Sequence, residues 1–397
     1  MGIIGSRAAS VPPSLIRRMY DRAQDLPGVA SLAVGEPDFP TPPHIVEAGQ
    51  KALRDGFTRY SPNAGYLHLR EAIAEKLAQR NGIRADPERE VFVTVGGMEA
   101  LMLTLLTGID PGDEVIVTDP SYTNYAGQIT LAGGVPVFVQ TDPGRGYLPE
   151  PAAIEAEITP RTRALLINSP SNPTGAMYPP ALVGAIADLA CRRDLLLISD
   201  EVYEALTYGD VPHVSPAALG HGDLRTRTVS IFSFSKTYAM TGWRVGYLAG
   251  PAPMLRAMAT LQEQVASCVN AAAQQAALAA ITGSQECVER MREAYDRRRR
   301  FVVERLRAIP GVRCRMPDGA FYVFPDVRAI ATDTVALADR LLSDHKVVVS
   351  PGEAFGPRSG GFLRLSYASS DQMLAEGLTR LADGLQGHLP STHRKVP

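Results

Sequence analysis

The chain has 397 residues, 45% of them apolar, with a formal net charge of -2 and a pI near 6.4. That length suits about two domains with ordinary buried cores, and the balanced charge excludes the broad basic field that a nucleic acid or an anionic membrane would require. Cys191, Cys268, Cys287 and Cys314 are scattered, without CxxC pairs or nearby histidines, so neither a metal site nor a disulfide framework is expected; reduced thiols in the cytoplasm are.

At the N-terminus Met1-Gly-Ile-Ile-Gly-Ser6 fits a loose myristoylation pattern, but no polybasic segment follows to give a second anchor. An apolar signal segment with a small-residue cleavage site is also missing. From about residue 90 onward, short apolar runs alternate with Gly/Pro/Asp turns and helical periodicity. The runs at 91–95, 114–118, 135–139, 164–168, 195–198 and 228–232 are nearly continuous in apolar residues. This predicts an α/β fold, with a mostly parallel sheet covered on both faces. The uncharged, alanine-rich stretch 264–285 carries too many polar amides and hydroxyls for a membrane span and reads as a buried helix. A charged helix is predicted over 286–309, its Arg297-Arg-Arg-Arg300 run forming a solvated face. Strand-like segments at 319–324 and 361–367 with a helix between them suggest a smaller α+β domain, and the polar tail 386–397 reads as disordered.

The most informative segment follows the 228–232 run directly: Ser233-Phe-Ser-Lys236, continuing to Gly242-Trp-Arg244. Ligand sites in α/β folds gather at strand ends. Five of the 40 basic residues are lysines, so a lysine in this place stands out. A carbonyl cofactor needs a primary amine to hold it, and burial or neighbouring cations keep such an amine neutral and nucleophilic. The same residues satisfy Ser-x-x-Lys of serine β-lactamases, but the companion motifs Ser-Asp-Asn and Lys-Thr-Gly are missing.

Several further motifs occur in order along 31–367: Gly35-Glu-Pro-Asp38, Tyr60 in Thr-Arg-Tyr-Ser-Pro, Asn168-Ser-Pro-Ser-Asn172-Pro-Thr-Gly175, Ser199-Asp200-Glu-Val-Tyr203 and Arg364-Leu-Ser-Tyr367. In this ordered set the chain resembles the class I/II aminotransferases, fold-type I pyridoxal-phosphate enzymes. The resemblance implies an N-terminal arm over 1–40, a large cofactor domain with a seven-stranded sheet over 41–284, and a small domain over 285–397. It implies that Lys236 carries pyridoxal 5'-phosphate as a Schiff base and then acts as the base. Asp200 would keep the pyridine nitrogen protonated, making the ring an electron sink, and Asn172 and Tyr203 would hydrogen-bond its phenolic oxygen. Gly96, Gly97 and Met98 at a helix start, with Ser233, Ser235 and Arg244, would cradle the phosphate; methionine cannot donate a hydrogen bond, so Met98 would contribute backbone only.

Tyr122 matches the aromatic that stacks on the pyridine ring, with core packing open for Tyr125 three residues on. Arg364 would clamp the substrate α-carboxylate, a planar task suited to guanidinium, aided by Gly35. Tyr60 would reach the phosphate of a neighbouring subunit, making the protein a homodimer. Residues 11–20 would line the substrate pocket, where Ile16, Met19 and Tyr20 suggest an apolar or aromatic donor, while a dicarboxylic donor stays open. The expected reaction passes an amino group from an L-amino acid to a 2-oxo acid such as 2-oxoglutarate, with no metal, nucleic acid or membrane involved. Lyase, racemase, cyclase and oxidase chemistries share the cofactor and stay open at this point, as does a non-catalytic regulator, although residues before 31 leave little room for a DNA-binding module.

Overall fold

The computed structural model describes residues 3–387 apart from 12, 25, 221 and 222. The lipidation pattern therefore lies partly, and the polar tail almost wholly, outside the described residues. Seven strands form the main sheet: β1 (Val91–Thr94), β2 (Glu114–Asp119), β3 (Val135–Gln140), β4 (Thr162–Asn168), β5 (Leu196–Asp200), β6 (Thr228–Ser233) and β7 (Gly246–Ala249). Their order is β1-β7-β6-β5-β4-β2-β3. β7 runs antiparallel to both its neighbours and the other pairings are parallel.

Six of these strands were legible as apolar runs. The seventh, β7, is short and begins on glycine, so it leaves little trace in the residue pattern. β1, although at one edge of the sheet, and β7 are buried along their whole length, as are Leu197, Ile198 and Ile231 in the strands between the edges. β3 departs from the expectation of two covered faces: it is an edge strand, and Val135 is 47% exposed. Among the described residues, no helix is long and apolar enough to cross a membrane.

The stretch 264–285 is not one helix. Ala252–Val265 ends just inside it, Ser267 adopts a left-handed φ of 62°, and Ala271–Thr282 begins at Asn270, whose Oδ1 accepts from the Ala273 N–H at 2.8 Å. The asparagine cap satisfies a helix-start donor that would otherwise lack a partner, so a second helix starts where an unbroken apolar helix was expected.

A second body of structure is built on helices Glu286–Arg307, Thr334–His345 and Asp371–Gln386 and an antiparallel sheet of Ser350–Pro351, Leu363–Ser366 and Tyr322–Val323. Ala30–Ser31 pairs in parallel with Val347–Val348, and Met19 and Leu32 enter the same core as Leu306, Leu341, Leu365 and Leu381. The N-terminal arm thereby shares its burial with the C-terminal body. The arginine run corrects its expected role as a solvated face. Arg297 and Arg300 are exposed, but Arg298 bridges Asp38 and Asp371 at 2.8 Å each, and Arg299 is buried, donating to the Pro317 carbonyl at 2.6 Å and lying over the Tyr208 ring. Successive residues of a helix point about 100° apart, so four in a row cannot all face one way.

Candidate active site

Strands β1, β2, β4, β5 and β6 all point their C-terminal ends at one crevice, the place where α/β sheets collect ligands. The crevice is a cavity of about 560 Å³ closed on its other side by residues of the arm and the antiparallel sheet, including Ile16, Tyr20, Gly35, Tyr322 and Arg364.

Lys236 sits in the single helical turn Phe234–Thr237 that follows β6, and its Nζ donates to the Gly35 carbonyl at 2.7 Å. Burial pushes its ammonium down to about 8; Glu36 opposes this, while Arg244 and Arg364 reinforce it. At that value about a tenth of the amine is neutral and nucleophilic at pH 7, far more than for an ordinary lysine. Asp200 ends β5, with its Oδ2 accepting from the Tyr125 hydroxyl at 2.5 Å and its Oδ1 from the Val202 N–H at 3.2 Å. Burial raises this carboxyl to about 6, against the two hydrogen bonds, so it is anionic at neutral pH and able to pair with a protonated ring nitrogen.

Arg364 is 3% exposed. Its guanidinium donates to the Asn172 side-chain oxygen at 3.1 Å, the Ala33 carbonyl at 2.6 Å and Ser350 Oγ at 3.4 Å, and it lies over the rings of Tyr322 and Phe355. Its Nε has no partner, and among the described residues no carboxylate pairs with it. A buried cation held only by neutral groups is costly; an anion brought by a ligand would complete it.

The opposite end of the cavity is a cradle. Gly96 opens the helix Gly96–Gly108 at φ 74°, and a Cβ there would lie 2.5 Å from Arg244 NH2. A Cβ on Gly246 would lie 2.6 Å from the Gly96 carbonyl carbon, so both positions need glycine for this close approach. Arg244 donates to the Thr241 and Val95 carbonyls and has no carboxylate partner among the described residues. Gly97, Met98, Ser233 and Ser235 line the same cavity. Helix-start N–H groups, two hydroxyls and a free guanidinium fit a phosphate. With Lys236 and Asp200 between this cradle and Arg364, the residues fit pyridoxal phosphate and a substrate carboxylate together.

Tyr122 and Tyr203 also line the cavity, together with Asn172. Tyr122 packs edge-on to Tyr125, and burial lifts its hydroxyl to about 12. Tyr125, for which core packing was an alternative, is buried and yet bonded to Asp200, so it belongs to the site's support. Met98 also meets its neighbours through its side chain: its Sδ accepts from Tyr122 and Asn124 at 3.7 and 3.6 Å. Ile16 and Tyr20 face the cavity as expected, whereas Met19 is fully buried in the C-terminal core; neighbours 19 and 20 of the helix Leu15–Gln24 point about 100° apart, so one can enter the core while the other lines the cavity. Tyr60 is 89% exposed and does not line this chain's cavity. Sequence reasoning missed Tyr322, which reads as a core residue of the apolar Ala-Phe-Tyr-Val run, and the supporting hydroxyl of Ser350.

The family description "Aminotransferase class I and II" matches residues 27–381. The chain is similar to aromatic-amino-acid aminotransferase 2 of Thermococcus litoralis, at 41% identity over 380 residues, 95% of this chain and 97% of the relative. It is 43% identical over 386 residues to the aspartate/prephenate aminotransferase of Thermus thermophilus, covering 96% of this chain and 98% of that one. The solved structure of the Thermus thermophilus aspartate aminotransferase with maleate matches with a TM-score of 0.92 at 42% identity, over 97% of this chain and 100% of the other.

Proposed function

The chain belongs to the class I and II aminotransferase family and is a pyridoxal-phosphate-dependent transaminase of amino and oxo acids; from that premise we propose that Lys236 is its catalytic amine and Arg364 its α-carboxylate clamp. The observation that carries this is the buried Arg364 guanidinium, which has no carboxylate partner among the described residues. A bidentate carboxylate would meet its planar fork and supply the missing charge.

When bound, the cofactor supplies an aldehyde for amine exchange and a ring that takes up electrons from the substrate's Cα–H bond. Gly96, Gly97, Met98, Ser233, Ser235 and Arg244 would hold its phosphate, Asp200 would pair with its ring nitrogen, Asn172 and Tyr203 would meet its phenolic oxygen, and Tyr122 would pack against the ring. Lys236 Nζ, buried in the cavity and partly neutral near neutral pH, would be the group that takes and gives back the substrate's Cα proton. Arg364 and Gly35 orient the substrate so that this bond faces the amine.

The donor is an aromatic or dicarboxylic L-amino acid and the acceptor is 2-oxoglutarate. Ile16 and Tyr20 give an apolar wall, and the relatives are named for aromatic and aspartate substrates. Arg17, also at the cavity, pairs with Asp21 in the same helix and is the cation at the mouth nearest in kind to a second-carboxylate partner. The enzyme works as a homodimer in which Tyr60, exposed on its own chain, completes the partner's phosphate cradle. The arm over 1–40, the cofactor domain over 41–284 and the small domain over 285–397 are its functional units, and four free cysteines support a reducing, cytoplasmic setting.

Absorbance spectra of the holoenzyme during addition of single amino acids, with dissolved oxygen recorded, test the reading. Transamination predicts conversion of the cofactor band to the pyridoxamine phosphate form, no oxygen uptake, and reversal by 2-oxoglutarate, and the amino acid that converts it fastest names the donor. Oxygen consumption, or product without the pyridoxamine form, would overturn it.

A further inference from the structure

Tyr322 stands at the meeting point of three groups assigned above to different tasks. Its hydroxyl lies 2.9 Å from the Tyr203 hydroxyl. The Arg364 guanidinium carbon lies 4.6 Å from its ring centroid. Its hydroxyl also presses on Gly35 so closely that a Cβ at that glycine would lie 2.3 Å away. It is 1% exposed and lines the cavity. A buried tyrosine packs on its ring and needs a partner for its hydroxyl; here the partner is another tyrosine that faces the cofactor's place, and the ring is the floor under the carboxylate clamp.

We propose that Tyr322 is a positioning residue: its hydroxyl donates to Tyr203 so that the Tyr203 proton points at the cofactor's phenolic oxygen, while its ring seats Arg364. The inference rests on the placing of Tyr203 proposed above. Two hydroxyls 2.9 Å apart share one proton between them, leaving the other free to point elsewhere. If Tyr322 gives its proton to Tyr203, then Tyr203 has its own proton for the cavity, and donating while accepting strengthens that bond. Other ionisable groups facing Tyr322 are Arg364, Tyr122 and Tyr295. Arg364 favours negative charge on the Tyr322 oxygen, but burial outweighs it and keeps the hydroxyl protonated near neutral pH.

The test is the pH titration of the visible cofactor band of the substrate-free holoenzyme, in wild type, Tyr322→Phe, Tyr203→Phe and the double variant. Donation to the phenolic oxygen weakens the proton affinity of the neighbouring imine nitrogen's couple, so losing it moves the titration up. Tyr322→Phe keeps the ring and is expected to shift the midpoint up by about 0.5–1 unit, the worth of one hydrogen bond. Tyr203→Phe should shift it at least as far, and adding Tyr322→Phe to Tyr203→Phe should then do nothing more. Gly35→Ala, which must displace the Tyr322 hydroxyl without removing it, should reproduce the upward shift and serves if Tyr322→Phe does not fold. No shift or a downward shift in Tyr322→Phe, with Tyr203→Phe shifting normally, overturns this inference alone. An unmoved titration in Tyr203→Phe overturns the placing of Tyr203, and this inference with it. A shift from Tyr322→Phe that persists in the Tyr203→Phe background shows that the hydroxyl acts by another route.

Discussion

Arg364 sets function against stability in a single side chain. Its charge is buried among neutral partners, so the free protein carries a cost that, on the proposed reading, a substrate carboxylate relieves. Arg364→Met should lower kcat/KM by at least about 100-fold, the usual loss when one side of a buried charge pair is removed, yet raise the melting temperature of the cofactor-free protein. A calorimetric scan beside a rate measurement checks both signs; a destabilised variant would mean that the guanidinium is a structural cation. Lys236 gives a prediction in pH. Its ammonium titrates at about 8 before cofactor arrives, and only the neutral amine attacks an aldehyde. The rate at which cofactor-free protein captures pyridoxal phosphate should therefore rise with pH and level off above about 8, where an ordinary lysine would keep climbing towards about 10.4. Stopped-flow absorbance resolves the two. At this scale the site was largely readable: Lys236 is the lysine at a strand end in a lysine-poor chain, and Arg364 interrupts an alternating apolar strand. Tyr322 was not, because a tyrosine in an apolar run carries no mark that separates packing from positioning.

Strands and helices were readable to the extent that their neighbours impose a pattern. Central strands are covered on both faces and so leave continuous apolar runs. β7 is four residues long and depends on β1 and β6 to exist, a tertiary fact without local signature. The helix predicted over 264–285 failed at Asn270, since a polar residue inside an alanine-rich stretch reads equally as interior or cap until its backbone turns. The arginine run failed for a geometric reason, because consecutive helical residues point in different directions. Where β1 and β7 meet the phosphate cradle, backbone approaches backbone, and neither side can yield. Gly246→Ala places a methyl 2.6 Å from the Gly96 carbonyl carbon and should cost about 1–3 kcal/mol, as overpacking does, with a loss of cofactor affinity that chemical denaturation and fluorescence titration would measure together.

The molecule as a whole makes its site from distant parts of one chain and, on the proposed reading, from a second copy. Tyr60 is 89% exposed and is expected to serve the partner's phosphate. Mixing Tyr60→Ala and Lys236→Ala proteins, each weak alone, and letting subunits exchange should restore activity, because one site of the hybrid has both wild-type residues. A mixture that stays as weak as its parts would show that Tyr60 does not cross between subunits. The Arg298 bridge from Asp38 to Asp371 joins the segment following Gly35 to the helix Asp371–Gln386, tying that segment to the C-terminal body. The order of parts along the chain adds a consequence for synthesis on the ribosome. Every cofactor contact proposed within one chain lies before residue 245, while the proposed carboxylate clamp waits for Arg364, which then reaches back to the Ala33 carbonyl. On the proposed reading, a growing chain thus carries the groups for its cofactor before it carries the arginine that would recognise an amino acid.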